Sequence, residues 1–291
     1  MPMVHRYAGR PSTDGSDPAN SNPASSHGLP QRLVVSLTSY RKRFDILHLT
    51  LRRLLDQSVR PDRLILWIAQ EERGLLPPAV LALQQEGLEI LFCPDIKSYK
   101  KIIPTLEEEP SAFIVTADDD VRYPKHWLAG LVHAWNGELR TVVAWRAHRI
   151  VLDPESGAPL PYRKWQWTCT DAPQTSTLLF PTGVGGVLYP PGVLHADVTN
   201  RALFESLCPG ADDVWLYWMC RRNEGRFKVV GEPLQIRHWP GSQYESLWHR
   251  NLILGNNDRC IANMMRHYSV FGATAGGRLH GGSLPQPDSV A

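Results

Sequence analysis

The chain lacks most of the features that announce a function outright. Its five cysteines, Cys93, Cys169, Cys208, Cys220 and Cys260, form no CxxC pair, and their number is odd. That argues against a zinc ribbon or a disulfide framework and for reduced thiols in a cytosolic protein. No apolar run reaches the roughly 18 residues that mark a membrane-spanning helix. The first residues lack the basic-then-apolar layout of a signal peptide. A cytoplasmic location is expected, with peripheral association at the inner face of a membrane left open. The formal net charge is only +2, too little for the field that nucleic-acid binding requires. Phosphate-binding glycine fingerprints are missing as well. The Gly-rich stretch from Phe180 to Pro191, FPTGVGGVLYPP, has neither GxGxxG spacing nor the lysine of a P-loop.

What is present is enough apolar material for a large core, 43% of 291 residues. Residues 1–30 are rich in Ser, Pro, Asn and Gly and poor in apolar side chains, as is the tail 273–291 with Gly276-Gly277 and Gly281-Gly282. Both are expected to stay disordered. Residues 31–272 read as one domain. In its first half, 31–150, strand and helix patterns alternate. Strands are expected at Leu33–Leu37, Leu64–Ile68, Leu88–Phe92, Phe113–Val115 and Thr141–Trp145. Helices are expected at Phe44–Leu55, Pro78–Gln85, around Lys100–Leu106, and from Pro124 to about Trp135. This order predicts an α/β/α sandwich on a mostly parallel, doubly wound sheet. In the second half, 151–272, Pro, Gly and Trp become frequent and the alternation fades. A helix over Asp212–Arg222 and a strand over Phe227–Val230 remain legible, and this half is expected to form the acceptor side of a cleft.

Three consecutive acids, Asp118, Asp119 and Asp120, directly follow the strand at Phe113. They therefore lie at a carboxyl edge, where open α/β sheets bind ligands. Adjacent like charges repel, and a divalent cation with its taste for oxygen ligands would offset that. The plain alternative is a solvated turn or a helix cap.

Other polar groups gather at the same edge. The first strand runs out into Thr38, Ser39, Tyr40 and Arg43, which could stack on and charge-pair with a nucleotide or simply start a helix. The third ends at Asp95, followed by Tyr99, Lys100 and Lys101; the lysines could meet a diphosphate or form an exposed helical face. Gly185 and Gly186 could let a sugar approach the backbone or could form a tight turn. Asp212 and Asp213 open a helix, one as a cap and the other free as a general base. Trp215 on that helix is core or the floor of a sugar site. His238 could complete a coordination sphere begun by the acids. Asn251, Asn256, Asn257 and Asp258 form a weaker polar group.

In their order along the chain, SLTSY with Arg43, SYKKIIPTL, VTADDDVRYP, GVGGVLYPP and ADDVW resemble a GT-A-type glycosyltransferase, bacterial and family-2-like, over roughly Leu33 to Asp258. The resemblance implies a GT-A-like fold that carries a nucleotide-diphosphate sugar, UDP favoured, at the carboxyl edge. It implies Mn2+ or Mg2+ held by Asp118 and Asp120, and Asp213 as the base of an inverting hexosyl transfer, with Asp212 left as the cap. The acceptor it implies is a glycan or lipid-linked saccharide of polysaccharide or lipopolysaccharide synthesis. Other classes compatible with the residues are a metal-dependent sugar nucleotidyltransferase and a non-catalytic carbohydrate-binding protein; ten Trp would suit the latter.

Overall fold

A computed structural model describes residues 27–169, 174–232, 234–240 and 255–271. Of the segment 1–30 expected to be disordered, residues 1–26 lie outside the described residues, as do the tail 273–291 and Asn251; at the end of that segment His27 and Leu29 are buried, with His27 bonded to Asp62.

Seven strands form the main sheet: β1 (Leu33–Thr38), β2 (Arg63–Ala69), β3 (Leu88–Cys93), β4 (Phe113–Ala117), β5 (Thr141–Ala144), β9 (Val187–Tyr189) and β10 (Arg226–Val229). Their spatial order is β10-β5-β9-β4-β1-β2-β3. Every neighbouring pair is parallel except the two made by β9, which runs antiparallel between β4 and β5. A smaller antiparallel sheet, ordered β7-β6-β8, consists of β6 (Ala147–Arg149), β7 (Gln166–Cys169) and β8 (Leu179–Pro181). The architecture is an α/β/α sandwich on a mostly parallel sheet, as expected.

The strands are almost wholly buried, as parallel strands covered on both faces must be. One face carries helices α1 (Phe44–Leu55), α2 (Pro78–Leu81) and α4 (Trp127–Ala134). There Leu47, Leu51 and Leu54 pack with Val35, Leu37, Leu66 and Ile68. On the other face lie α3 (Ile103–Glu108), α5 (Arg201–Leu207), α6 (Asp212–Arg222) and α7 (Asn256–His267), where Ile103, Trp215, Trp218 and Met264 pack with Ile114 and Val142. Helix α6 is buried nearly all round. Its low amphipathicity follows, because a helix with no solvent face needs no polar stripe.

The strand order reverses between β1 and β4. That is the topological switch point at which open α/β sheets form a ligand crevice. A buried polar relay fixes one wall of it: Ser36 Oγ lies 2.7 Å from Thr105 Oγ1, and the Trp67 indole N–H donates to the same oxygen at 2.7 Å. At the far end of α3, Arg63 bonds Glu89, Glu108 and Glu109. Helix α3, which follows the segment that carries Lys101, is thus held at its middle and at its end.

Several boundaries differ from expectation. The helix around Lys100 is a 3-10 turn (Lys97–Lys101) followed by a short α-helix, because Pro104 must sit in the first turn of a helix. The helix expected from Pro124 starts at Trp127. Helix α2 tightens to a 3-10 turn that stops at Gly87, whose φ of 108° suits only glycine. Strand β9 was not expected at all. It is three residues long, and two of its flanks are Gly and Pro.

Candidate active site

The acids Asp118–Asp120 turn away from β4, and Ser39 and Arg43 leave β1 beside them. The Ser39 hydroxyl donates to Asp119 Oδ2 at 2.5 Å. The Arg43 guanidinium reaches Asp119 Oδ1 at 3.3 Å and also pairs with Asp120. On its other side Asp120 meets His238, whose Nδ1 stands 3.4 Å from its Oδ2. A strip from the second half braces the turn: Val121 bridges His238, and the Trp239 backbone N–H donates to the Asp120 carbonyl at 3.1 Å. The Trp239 indole donates to Thr50 on α1 at 2.9 Å, and Arg122 lies over its ring.

Burial pushes the Asp119 carboxyl up to about 7, against the pull of Arg43 and Ser39. Burial acts on Asp120 too, but the His238 hydrogen bond and the Arg43 charge outweigh it and hold the group below its ordinary value. Asp118 is the most open of the three, with 28% of its side chain exposed. Its backbone N–H donates to the Tyr123 hydroxyl at 2.8 Å, which fixes the turn.

Lys101 joins this cluster to the second one. Its ammonium lies 3.2 Å from Asp118 Oδ1 and 2.9 Å from Asp212 Oδ2. Burial would strip its proton, but Asp118, Asp212 and Asp213 hold it well above the ordinary lysine value. Asp213 is not in contact with the lysine. The Gly183 backbone N–H donates to both its oxygens, at 3.1 and 3.2 Å. Burial and the charge of Asp212 push the Asp213 carboxyl up to about 7. Neither acid caps α6 through its side chain, contrary to expectation for Asp212. The N-cap is Ala211, and both acids sit in the first turn, where the helix dipole favours negative charge.

The remaining predicted residues divide. Thr38 and Tyr40 lie at the crevice edge, Thr38 donating to the Trp67 carbonyl at 2.8 Å and Tyr40 under the Arg43 guanidinium at 5.9 Å. Asp95 bonds Lys100 at 2.6 Å and Lys97 at 2.5 Å. Burial works against it, yet those two lysines hold it well below the carboxylate range. Lys100 and Lys101 are buried, not the solvated face that a short charge run usually forms. Tyr99 is not at the crevice. It is buried, its hydroxyl donates to the Cys208 carbonyl at 2.7 Å, and its ring stacks on Phe204. Trp215 is core, with no exposed face for a sugar and its indole donating to the Val198 carbonyl. Gly185 and Gly186 serve packing. A Cβ at Gly186 would lie 2.5 Å from the Trp127 ring, and its φ is 91°. The Trp127 indole donates to the Gly185 carbonyl at 2.7 Å. Of the weaker polar group, Asp258 accepts from the Tyr162 backbone N–H at 2.7 Å and Asn256 donates to the Pro209 carbonyl at 3.1 Å.

Because β9 is antiparallel, its first residue lies at the carboxyl ends of β4 and β5, and the turn Gly183–Gly185 lies there too. A Cβ on Gly183 would stand 2.9 Å from Lys101 Nζ and 3.0 Å from Asp213 Oδ1. Sequence reasoning missed Arg146 and His148, which follow β5 at the same edge, and the aromatic group of Tyr162 and Trp167 beside them. Their signal was position: Arg146 comes straight after a strand whose carboxyl end had already been placed.

Among the described residues no three His, Cys, Asp or Glu side chains are grouped to hold a metal ion. Asp119 has both oxygens engaged, Asp118 is the open carboxylate of the turn, and a cation would share Asp120 with Arg43 and His238. Two carboxylates suit a cation that takes its remaining ligands from substrate phosphates and water, as Mg2+ does. Charge points the same way: five carboxylates, Asp118–Asp120, Asp212 and Asp213, face the cations Arg43, Lys101 and Arg146.

No family model and no curated protein matches the chain. Solved structures resemble it distantly. A TarS fragment (residues 1–349) from S. aureus in complex with UDP is 14% identical over 70% of this chain, with a TM-score of 0.46, and the chain spans 59% of that fragment's length. Glucosyl-3-phosphoglycerate synthase from Mycobacterium tuberculosis, with Mn2+, UDP and phosphoglyceric acid, is 13% identical over 81% of each chain, with a TM-score of 0.45. The inositol-1-phosphate CTP transferase from T. maritima is 13% identical over 78% of this chain and 96% of that one, with a TM-score of 0.41. Likeness at this distance assigns no substrate. No helix among the described residues is long and apolar enough to cross a membrane.

Proposed function

We propose that this protein is a glycosyltransferase that moves a hexosyl group, with inversion, from a nucleotide-diphosphate sugar (UDP favoured) to a hydroxyl of a saccharide or glycolipid acceptor. The observation that carries the reading is the Lys101 bridge. It ties Asp118 of the switch-point crevice to Asp212 at the start of α6, so that Asp213, with its near-neutral carboxyl, faces the same space.

The donor's diphosphate lies at the crevice, beside Ser39, Arg43 and Asp118. Bound Mn2+ or Mg2+, held by Asp118 and Asp120, would supply Lewis-acid charge toward the departing diphosphate. Arg43 keeps Asp119 and Asp120 in register. Asp213 takes the proton from the acceptor hydroxyl as its oxygen bonds to the anomeric carbon and the bond to the diphosphate breaks. The Gly183 N–H fixes the direction in which that carboxylate faces. A carboxyl titrating near neutrality combines enough ionised base with enough affinity for the proton. Bringing both substrates to one edge supplies the proximity term.

The test is calorimetric titration with a panel of nucleoside diphosphates, with and without manganese, followed by a donor-hydrolysis assay. Binding of one nucleotide that requires the metal and is lost in Asp120→Ala supports the reading. Absence of binding to every nucleotide sinks it in favour of a carbohydrate-binding role. Release of pyrophosphate instead of a nucleoside diphosphate would make the protein a nucleotidyltransferase.

A further inference from the structure

Arg146 differs from every other cation at the edge. Arg43 and Lys101 each hold two carboxylates. Arg146 has no ion pair among the described residues, and its Nε is buried without a hydrogen-bond partner. Its backbone is nonetheless held firmly, its carbonyl accepting the Thr182 N–H at 3.0 Å and its Cβ packing where a Cβ on Gly185 would stand 3.2 Å away. The turn Gly183–Gly185 thus touches Lys101 and Asp213 at one end and Arg146 at the other. The charges of Asp213 and Asp118 offset the burial of Arg146 only in part, and a half-buried cation with no ion pair costs free energy. An oxyanion from outside would recover it.

The surroundings point to a sugar. His148, two residues on, is buried; its Nδ1 accepts the Thr168 N–H at 3.0 Å, so Nε2 carries the proton and has no partner either. Burial and the neighbouring Arg146 charge push this imidazole down to about 3, so it remains neutral. Over it lies Trp167, with ring centroids 4.6 Å apart, and Tyr162 closes the group edge-on at 5.6 Å from Trp167. Trp167 is among the few large apolar side chains exposed on this protein, at 38%. An exposed indole on a rigid base is a stacking face for a pyranose.

We propose that the acceptor subsite takes a saccharide bearing an anionic group, a phosphate or a carboxylate, which Arg146 binds while the sugar ring lies on Trp167. The inference rests on the glycosyltransferase reading and names its acceptor class. Arginine suits the task, because its planar fork meets either oxyanion with two hydrogen bonds. The nearby acids do not forbid an anion there. Arg43 and Lys101 already occupy four of them, and Asp213 is only partly ionised near neutrality.

The experiment titrates the full chain with methyl glucoside, glucose 6-phosphate and glucuronate, and in parallel with UDP plus manganese. Either anionic sugar is expected to bind about tenfold or more tighter than the neutral one, since hydrogen bonds to a charged group contribute about 1.5–3 kcal/mol. The two anionic arms say which oxyanion is meant. Arg146→Gln should erase the preference while leaving UDP affinity unchanged; Arg146→Lys should keep part of it. Trp167→Ala should weaken all three sugars alike. Equal binding of neutral and anionic sugars, or no sugar binding beside normal UDP binding, overturns the acceptor assignment and leaves the transferase reading standing. Loss of UDP affinity in Arg146→Gln moves this arginine to the donor and overturns it too. No UDP binding by the wild-type chain sinks the underlying reading itself.

Discussion

The two acid clusters meet the same problem, like charges crowded at a sheet edge, and meet it in opposite ways. At Asp118–Asp120 the protein imports positive charge. Arg43, with Ser39 and His238 beside it, engages Asp119 and Asp120, and only Asp118 faces outward. At Asp212-Asp213 it imports charge for one member only. Lys101 takes Asp212, and Asp213 receives no cation, merely the Gly183 amide. The first arrangement holds Asp120 below its ordinary value and locks Asp119, which burial pushes up to about 7, with both oxygens engaged, so that the turn stays in place as binding a cation requires. The second leaves a carboxyl that exchanges its proton near neutrality, as a base requires. Geometry alone would not separate the two; the placing of the counter-charges does.

The sharpest way to break that contrast is Asp213→Asn. The amide still accepts from Gly183, so donor binding should survive, while turnover should fall by about 10²–10⁴, the range of a lost general base. A steady-state assay beside a nucleotide titration reads both. If binding and turnover fall together, Asp213 is structural. The wild-type rate should rise with pH through about 7, where Asp213 ionises. Stability should move the other way. Between the ordinary carboxylate pKa of about 4 and about 7 the native state keeps a proton that the unfolded chain has lost, so stability falls as pH climbs through that window. Asp213→Asn should thus gain stability over wild type at pH 8 and lose that advantage at pH 4, which thermal melts would show.

Removing the shared cation tests whether the clusters are one system. Lys101→Met leaves Asp118 and buried Asp212 without their partner. A cost of about 3–5 kcal/mol is expected for breaking a buried pair. Adding Asp212→Asn should restore part of it. If the double variant is no more stable than the single one, Lys101 is held by packing and the bridge is incidental.

The acids were legible in sequence because three adjacent carboxylates after a buried strand repel one another, which a plain turn or cap does not need. Their partners were not. Arg43 read equally well as a solvated basic turn, and only the pairing of β1 with β4 brings it to Asp119. Lys100 and Lys101 read as a helix surface by default. Their burial depends on Asp95, Asp118 and Asp212, which are contributed by separate segments. The first half of the sheet was readable because its strands are apolar runs that alternate with helical patterns as far as β5. Strand β9 was hidden: three residues give no period, and its glycine lead-in reads as a loop. With β9 unseen, Gly183 could not be brought to the edge. Tyr99 is misplaced, and Trp215 left open between core and sugar site, for the converse reason, since an aromatic near a motif looks the same in sequence whether it faces a ligand or the core.

The smallest expected effect concerns the brace that one cluster has and the other lacks. His238 and Trp239 lie along the acid turn after β4, with the Trp239 indole bonded to Thr50, whereas no comparable strip among the described residues lies along Asp213. Trp239→Phe keeps one aromatic ring and the backbone bond to Asp120, and deletes one neutral hydrogen bond together with the smaller ring of the indole. Its cost should be about 1 kcal/mol, the usual net contribution of such a bond, read as a shift in the urea midpoint at unchanged slope. Turnover should change little, because Arg43 and Ser39 still hold the acids. A large loss of metal-dependent nucleotide binding in this variant would mean that the brace, and not the counter-charge, sets the position of Asp120. The contrast between the clusters would then be one of backbone support, with charge following from it.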